Sequence, residues 1–386
     1  MSEPTRRNGD AFPWHLGVCD AHCHPTDTLS SLSSDPISKA RYLTAMATRA
    51  QDQHLVDSAA KQHPETIVPC FGWHPWFTHL LYDDTSDEPT YAPDRHGNDN
   101  GKAKEEHYRR VLTPNSSTSE IQQGFIVSLP SPTPLSDLIS QTREYLLKHP
   151  TALVGEIGLD KAFLLPQPWS TDQRDGSLTP GGREGRPLSP YRVRVEHQIA
   201  ILRAQLHLAG ELRRGVSVHG VQVHGVLLDA IAATWKGYER VVLSKRQMHK
   251  ITMGEEEPPT PPSSSDAESP KPFPPRICLH SYSASVEVLR QWLDPKIPAD
   301  IYFSFSVAVN LSTKSTRNKI RQVIQGVPGE RILVESDLHK AGEDMESALV
   351  EMYSLVCEIK GWAIEDGVKR IRQNYEAFIG LELDER

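Results

Sequence analysis

The chain has 386 residues, 38% of them hydrophobic, and a formal net charge of −8, which argues against a protein that holds nucleic acid mainly through a basic surface. No run of roughly 18 apolar residues is present and Met1 to Asp10 is polar, so we expect neither a transmembrane helix nor a secretory signal. The five cysteines form no Cys-x-x-Cys pair, which argues against a structural zinc knuckle and favours a reducing compartment, cytoplasmic and/or nuclear.

Eight short apolar segments alternate with segments of helical spacing. The predicted strands are Leu16–Ala21, Arg41–Ala47, Thr66–Phe71, Ala152–Ile157, Gly215–His219, Ile277–His280, Ile301–Ser306 and Arg331–Glu335. The predicted helices cover Thr48–His63, Leu135–Lys148, Arg192–Arg213 and Val226–Trp235, and three more begin at Ser283, Thr313 and Gly342. Strict alternation implies a parallel sheet with right-handed crossovers. An open doubly wound sheet would alternate in the same way, but eight units favour a closed (β/α)8 TIM barrel.

Three polar segments interrupt this alternation. They are rich in charged residues, glycine, proline and serine, and such chain cannot bury enough apolar surface to offset the entropy of ordering. We therefore predict one domain over residues 11–386, a tail at 1–10, and flexible or disordered surface insertions at 82–122, 164–190 and 245–275. Binding of protein partners is the alternative role for these insertions. Without them about 300 residues remain, which suits a single barrel.

Ionisable side chains cluster where the predicted strands end, and in a barrel these ends meet at one rim. His22 and His24 are two residues apart, so on a strand both imidazoles face the same side. A single histidine after an apolar run is usually a core residue, and a single aspartate is usually a helix cap. Six such groups near one point would be costly to bury without a cation. The predicted metal ligands are His22, His24, Glu156, His219, His280 and Asp337.

These six side chains are enough for two divalent metal ions, with Mg²⁺, Mn²⁺ or Zn²⁺ as candidates. We expect one ion on His22, His24, Glu156 and Asp337, and a second on Glu156, His219 and His280. Glu156 would then bridge the two ions, which favours metal-assisted hydrolysis. Because a bound ion acidifies water, Asp337 is the best candidate to take the proton of the attacking water. Asp337 and Glu156 are therefore the predicted catalytic residues.

The motifs around these residues follow one another from Asp20 to Leu381. They include Asp20-Ala21-His22-Cys23-His24, Gly72-Trp73-His74-Pro75, Gly155 to Asp160, His280 to Ser285 and Glu335-Ser336-Asp337. Their combination resembles the TatD family of metal-dependent deoxyribonucleases, within the amidohydrolase-like barrels, and the long insertions are most similar to fungal members. The resemblance implies two divalent cations and DNA as the phosphodiester substrate, including 3′→5′ exonuclease action.

Four further residues are candidate substrate contacts. His74 follows the third strand and either touches substrate or supports the metal ligands. Ser281 and Ser283 could donate hydrogen bonds to a phosphate, with helix capping as the alternative. Tyr282 could stack on a base, as could Trp73 and Trp76 nearby, although packing is an equally good explanation for rim aromatics.

One departure from the family pattern bears on substrate binding. Relatives commonly carry an arginine or lysine shortly after the fifth-strand histidine, whereas Gly220 and Val221 follow His219. This difference and the long insertions favour a protein-interaction scaffold without nuclease activity as an alternative, although all six ligands are retained. A hydrolase of a small amide or ester is a further alternative. Many such enzymes use a modified lysine on the fourth strand, where this chain has Glu156.

Overall fold

Eight parallel strands form the central sheet of the protein. The computed structural model describes residues 12–28, 31–32, 37–93, 100–114, 123–167, 186–253 and 269–381. Strands pair with their neighbours in chain order, and every pair is parallel. They are β1 (Cys19–Cys23), β2 (Tyr42–Met46), β3 (Ile67–Phe71), β4 (Leu153–Asp160), β5 (Val216–Val221), β6 (Arg276–Leu279), β7 (Asp300–Phe305) and β8 (Ile332–Val334).

The sheet nearly closes on itself between β8 and β1. Just beyond β8, the amide of Asp337 donates to the carbonyl of His22 at 3.0 Å. The amide of His24 in turn donates to the carbonyl of Leu338 at 2.8 Å. The predicted (β/α)8 barrel is therefore confirmed, and the open doubly wound sheet is excluded. A closed barrel brings all eight carboxyl ends to one rim.

Helices follow the strands and cover the barrel. They are α1 (Ala50–Gln62), α2 (Asn100–Val111), α3 (Gln123–Ser128), α4 (Leu135–Lys148), α5 (Val195–Glu211), α6 (His224–Ala232), α7 (Lys245–Thr252), α8 (Val286–Trp292), α9 (Val307–Asn310), α10 (Lys314–Gly326), α11 (Glu343–Lys360) and α12 (Ile364–Ile379). Fully buried side chains such as Leu43, Val154 and Phe303 form the core between strands and helices. Within the described ranges, no helix has both the length and the apolar character needed to cross a membrane.

Two of the predicted helix starts, Thr313 and Gly342, lie directly before the observed helices α10 and α11. Thr313 caps α10, since its side chain accepts from the amide of Thr316. Gly342 precedes α11 with a φ of 116°, which glycine adopts without the steric penalty that a β-carbon would bring. The helix predicted from Ser283 begins later, at Val286, because the hydroxyl of Ser285 accepts from the amide of Val288 and caps it there.

Three strands, β1, β4 and β5, run further than their apolar segments predicted, and β1 ends at Cys23 instead of Ala21. The expected ends were Ile157 and His219, but β4 continues to Asp160 and β5 to Val221, and the two strands pair up to these residues. The added residues are Gly158, Leu159 and Asp160 on β4 and Gly220 and Val221 on β5, so a glycine interrupts the apolar run in both strands. Glu156 and His219 therefore lie within strands, where the backbone on both sides holds them.

Part of the first predicted insertion is folded and not loop-like. Helix α2 leads into a short strand, Leu112–Pro114, that pairs antiparallel with Tyr191–Val193 at the end of the second insertion. Tyr108 and Leu112 are fully buried in a separate apolar cluster with Tyr191. These few apolar residues supply a small core of their own, which the average composition of the segment concealed. Residues 94–99, 115–122, 168–185 and 254–268 of the three insertions lie outside the described residues.

The described segments that lead into the three insertions lie at opposite ends of the barrel. The first two follow β3 and β4, so they extend from the rim where the strands end. The third lies between α6 and β6, and Arg240 within this connection donates to the Asp300 carboxylate, at the start of β7, at 3.2 Å. The described residues just before the third insertion therefore contact the end of the barrel remote from the predicted ligands.

Candidate metal centre

Glu156 lies at the middle of the predicted ligands. Its Oε2 atom is 3.4 Å from the Nε2 atoms of both His22 and His24. Its Oε1 atom is 3.0 Å from Nδ1 of His219 and 2.9 Å from Nε2 of His280. The two carboxylate oxygens thus face two different sets of imidazoles, as the bridging role predicted for Glu156 requires.

Asp337 completes the set around His22 and His24. Its Oδ1 atom lies 3.6 Å from Nε2 of His24 and 3.9 Å from Nε2 of His22. The two imidazole Nε2 atoms are only 3.2 Å apart, so both aim at one point. Neutral imidazole nitrogens and carboxylate oxygens are the donors that zinc and similar ions take. The donor atoms of His22, His24 and Glu156 lie close enough to share one ion, and so do those of His22, His280 and Asp337.

His74 lies beside the ligands and not at the mouth of the site. Its Nε2 atom is 3.0 Å from Oε1 of Glu156, and only 2% of the residue is exposed. Its Nδ1 atom accepts from the amide of Trp76 at 3.2 Å, so a neutral ring carries its proton on Nε2 and donates to Glu156. Of the two roles considered for His74, this geometry favours support of the ligands. It could also serve as a ligand itself, in a group with Glu156 and His219.

Two neighbours of the ligands determine which ring nitrogens face the centre. The hydroxyl of Ser217 is 2.9 Å from Nδ1 of His22, which leaves Nε2 of that ring for the centre. Oδ2 of Asp160 is 3.2 Å from Nε2 of His219, which leaves Nδ1. Such outer contacts orient metal-binding histidines and raise their basicity. Ser217 was not predicted, although its place on β5 two residues before His219 puts both side chains on one face.

Two buried carboxylates hold the backbone segments that carry the predicted ligands. Oδ1 of Asp20 accepts from the amides of His22 at 3.1 Å and Ser336 at 3.0 Å, which joins β1 to the segment after β8. Glu335 is fully buried, and its Oε1 atom accepts from the amide and the hydroxyl of Ser281 at 2.7 and 2.6 Å. The sequence placed Glu335 in a motif but gave it no role, because its partner is 54 residues away in the chain.

The histidines strongly perturb the ionisation of Glu156. Burial opposes its ionisation, but the charges of His74, His280 and His22 outweigh burial and hold the pKa of Glu156 well below its usual range. Burial also opposes a charge on His280, yet Glu156 and Glu335 raise the pKa of that imidazole well above its ordinary value. Glu156 is therefore ionised at neutral pH and attracts positive charge.

Not all the imidazoles can carry that positive charge together. Burial and the charge of His280 lower the pKa of His22. Burial lowers the pKa of His74 to about 4, with the charge of His219 acting in the same direction. For His24, burial is overcome by the hydrogen bond with Asp337 and by Glu156, and the pKa rises to about 9. A buried anion among partly neutral imidazoles is the electrostatic environment that a divalent cation fits.

The predicted substrate contacts do not all face the mouth of the site. Tyr282 is buried, and its ring packs edge-on against Phe303 at 5.0 Å, so it is not placed to stack on a base as predicted. Trp73 is buried as well, within the packing around α4 and α5. Ser281 donates to Glu335, so its hydroxyl is already engaged, whereas Ser283 is exposed.

Trp76 keeps a partly exposed position at the rim. Its ring stacks on Phe163 with centroids 4.2 Å apart and planes at 9°, and its Nε1 donates to Asp160 at 2.6 Å. These contacts connect the loop after β3 with the loop after β4. Of the three aromatic residues considered for base stacking, Trp76 is the one whose position allows it.

Comparisons with known proteins identify the family of this chain. The family described as TatD related DNase has a model that matches residues 19–380. The Cut9-interacting protein scn1 of Schizosaccharomyces pombe is 38% identical over 363 residues, covering 94% of this chain and 98% of that protein. A protein of Saccharomyces cerevisiae, named uncharacterized deoxyribonuclease YMR262W, is 25% identical over 377 residues, covering 94% of this chain and 99% of its own length.

Solved structures of similar proteins include the TatD homologue YjjV of Escherichia coli K12. It is 15% identical with a TM-score of 0.49, covering 94% of this chain and 97% of its own. A TatD family hydrolase of Entamoeba histolytica is 11% identical with a TM-score of 0.48, and the match covers 94% of this chain and 96% of that protein. Because the family model matches nearly the whole chain and the fission yeast relative is 38% identical over 94% of it, this protein belongs to the TatD-related DNase family.

Proposed function

We propose that this protein is a metal-dependent deoxyribonuclease that hydrolyses DNA phosphodiester bonds as a 3′→5′ exonuclease. The observation that carries the proposal is the position of Glu156, whose two oxygens face separate sets of imidazoles at 2.9 to 3.4 Å. Two-ion sites of this kind suit phosphodiester hydrolysis, in which charge develops on both the attacking and the leaving oxygen. The budding yeast relative named as a deoxyribonuclease supports DNA as the substrate.

The residues present fit two divalent ions. His22, His24, Glu156 and Asp337 would hold one, and Glu156, His219 and His280 the other. Ions held there would polarise the phosphate and lower the pKa of water at the site.

Asp337 is the proposed general base for the reaction. Its side chain is 16% exposed against 4% for Glu156, so of these two carboxylates it is the more accessible to water. Burial would raise its pKa, but the hydrogen bond with His24 and the charges of His22 and His280 keep that pKa below its ordinary value. Asp337 is therefore ionised and can take a proton as the water oxygen attacks phosphorus and the phosphorus–oxygen bond to the leaving strand breaks.

The test is hydrolysis of DNA labelled at either end, single- and double-stranded, by the purified full chain. We expect EDTA to abolish hydrolysis and Mg²⁺ or Mn²⁺ to restore it, with mononucleotides released from the 3′ end. A full rate in EDTA would refute the metal mechanism. Release from the 5′ end, or cleavage within the strand, would refute the proposed polarity alone. Hydrolysis of small esters or amides without any action on DNA would favour the small-molecule alternative.

We further propose that the chain binds a protein partner through its insertions. The fission yeast relative is named for its interaction with Cut9, and the alignment to it spans most of both chains. The described residues that lead into the third insertion contact the end of the barrel remote from the metal centre, so we expect a partner bound there to leave the site accessible. Deleting residues 254–268 should then remove co-purification with a Cut9-like partner while DNA hydrolysis persists. Unchanged co-purification would exclude that segment.

The cysteines support a reducing compartment. All five are buried and free of disulfide bonds. We propose that the protein works in the cytoplasm and/or the nucleus, where thiols stay reduced. Imaging of the tagged full chain in fixed cells tests this directly, and an extracellular signal would contradict it.

A further inference from the structure

The loop after β4 is fixed at the rim by one carboxylate. Oδ1 of Asp160 accepts from the amides of Ala162 at 2.7 Å and Phe163 at 2.9 Å, so the chain turns where β4 ends. Oδ2 of the same side chain faces Nε2 of His219 at 3.2 Å and accepts from Nε1 of Trp76 at 2.6 Å. Asp160 therefore sets the position of this loop relative to a predicted ligand and to the loop after β3.

Trp76 and Phe163 form an aromatic ledge beside the centre. Their rings stack with centroids 4.2 Å apart and planes at 9°, and both residues are partly exposed. The ring centroid of Trp76 lies 6.1 Å from that of His219. Because unpaired bases stack on aromatic side chains in many nucleic-acid sites, a flat pair of rings at this distance from a predicted ligand is suited to receive a base.

Lys161 adds a positive charge at the start of the same loop. Its amide donates to the carbonyl of Val221 at 3.1 Å, so its backbone lies where β4 and β5 end together. Its carbonyl accepts from Nη1 of Arg192 at 2.9 Å. The side chain is exposed, and among the described residues no partner engages its ammonium group. The backbone of Lys161 is thus held on both sides, while its charge remains available to an anion.

We propose that Lys161 and the aromatic ledge form a nucleotide subsite on the His219 side of the centre. The ammonium of Lys161 binds a phosphate of the DNA strand, and the ledge receives the adjacent base. This inference rests on the proposed nuclease function. The chain has a net charge of −8 and therefore no general attraction for DNA, and Gly220 and Val221 directly follow His219. A cation next to Val221 supplies positive charge to the substrate at this place.

The alternative is that Lys161 is a solvated surface lysine and that the ledge only joins two loops. The two roles differ in the counterions that DNA releases on binding. For a single strand, the logarithm of affinity falls with the logarithm of salt concentration by about 0.7 for each phosphate that is neutralised. Salt dependence therefore separates a phosphate contact from a solvated lysine, which contributes nothing to that slope.

The experiment compares Lys161→Ala, Lys161→Arg, Trp76→Leu and Trp76→Phe with the wild type. The matched control is Lys296→Ala, another exposed lysine, located between α8 and β7 at the end of the barrel where the strands begin. Affinity for fluorescent single-stranded oligonucleotides is measured by anisotropy in buffer with EDTA at several salt concentrations. KM and kcat are measured separately with end-labelled DNA and Mn²⁺.

For Lys161→Ala we expect affinity to fall and KM to rise by about 5- to 10-fold, with kcat within about twofold, as for loss of one charge-assisted hydrogen bond. The salt slope should become shallower by about 0.7. Lys161→Arg should restore both values, and Lys296→Ala should match the wild type. Unchanged affinity, KM and slope in Lys161→Ala, or equal changes in Lys296→Ala, would overturn the phosphate contact.

The ledge is tested with oligonucleotides that lack one base at successive positions from the 3′ end. At one position, loss of the base should weaken binding to the wild type by about tenfold, as for loss of one stacked base. Trp76→Leu should bind the intact oligonucleotide about tenfold more weakly and be insensitive to that loss, whereas Trp76→Phe should keep most of the effect. The same sensitivity in Trp76→Leu as in the wild type would show that the ledge holds no base.

Failure of this subsite is distinguishable from failure of the proposed function. If the wild type hydrolyses DNA and the Lys161→Ala and Trp76→Leu variants behave identically to it, the subsite is wrong and the nuclease stands. If the wild type does not hydrolyse DNA but Lys161→Ala weakens oligonucleotide binding and lowers the salt slope, the subsite stands and the nuclease function fails. A wild type that neither binds nor hydrolyses DNA would overturn both.

Discussion

The centre and the rim of the site are built on different principles. At the centre, Glu156 and His219 lie within strands, and neighbouring strands hold their partners, such as Asp160, in register. At the rim, Trp76 and His339 lie in loops, and they meet their partners, Asp160 and Asp27, only because distant segments converge. The difference teaches that strand pairing fixes the positions of the side chains at the centre, whereas contacts between loops fix those at the rim. The predictions below test that division, starting with the change expected to matter most.

Glu156→Ala removes the carboxylate that faces both sets of imidazoles. We expect DNA hydrolysis to fall by at least about 100-fold, since even outer contacts of metal ligands typically account for about 10- to 100-fold. The far-ultraviolet circular dichroism spectrum should stay unchanged, because Glu156 takes no part in core packing. A variant that keeps more than a tenth of the activity would show that the centre does not depend on a bridging carboxylate.

Metal affinity should rise steeply with pH. Burial opposes a charge on His24, but Asp337 and Glu156 raise its pKa to about 9, so an ion must displace that proton. Affinity measured by calorimetry between about pH 6.5 and 9 should increase roughly tenfold per unit for each displaced proton. The metal-free protein should behave oppositely, because a raised pKa stabilises the fold below about 6.5 and this stabilisation is lost as pH rises through 9. A pH-independent affinity would contradict this ligand set.

Asp160→Asn removes the carboxylate that orients His219. An amide can present its NH₂ group to Nε2 and so favour the wrong tautomer, which places the ring proton on Nδ1. We expect metal affinity and activity to fall by about 10- to 100-fold, as for other outer contacts of metal ligands. The control is Asp137→Asn, an exposed aspartate in the first turn of α4. Equal activity in both variants would mean that Asp160 serves only the loop that follows it.

Tyr108→Phe tests whether the folded part of the first insertion is independent of the centre. The phenol is fully buried and donates to the carbonyl of Pro130 at 2.6 Å. Loss of this hydrogen bond should lower the free energy of unfolding by about 1 kcal/mol, as measured by urea denaturation. Activity on DNA should stay within about twofold at a temperature where both proteins are folded. A large loss of activity would show that the insertion helps to shape the site.

Ser283→Ala should have the smallest effect of this series. Ser283 was predicted as a phosphate contact, but it is exposed, whereas Ser285 two residues later caps α8. We expect KM for DNA to change by less than about twofold, since substitution of an exposed residue that caps no helix is usually close to neutral. A clear rise in KM would reinstate Ser283 as a substrate contact and place the strand on the β6 side of the rim.

The sequence was sufficient for the barrel and for the side chains at its centre. Short apolar runs revealed the strands, and His22 and His24, spaced by one residue, revealed a shared face. Strand ends were less accurate, because β4 and β5 continue through Gly158 and Gly220, where the apolar run is interrupted. Asp337 was found because it follows an apolar run that sequence patterns detect.

The supporting contacts and the rim were not predictable in the same way. Glu335 and Ser281 are 54 residues apart, and no local pattern links them. Base stacking and packing were equally good explanations for Tyr282, and only the structure shows that its ring is buried against Phe303. Asp27 and His339 meet only because the barrel closes, so their relation requires the three-dimensional structure.

The most direct test is anomalous diffraction from crystals of the full chain grown with Mn²⁺. The account predicts two peaks about 3.5–4 Å apart on either side of the Glu156 carboxylate. One should be bound by His22, His24 and Asp337, and the other by His219 and His280. Crystals saturated with Mn²⁺ that show no peak between these side chains, or show them turned away from each other, would contradict the account.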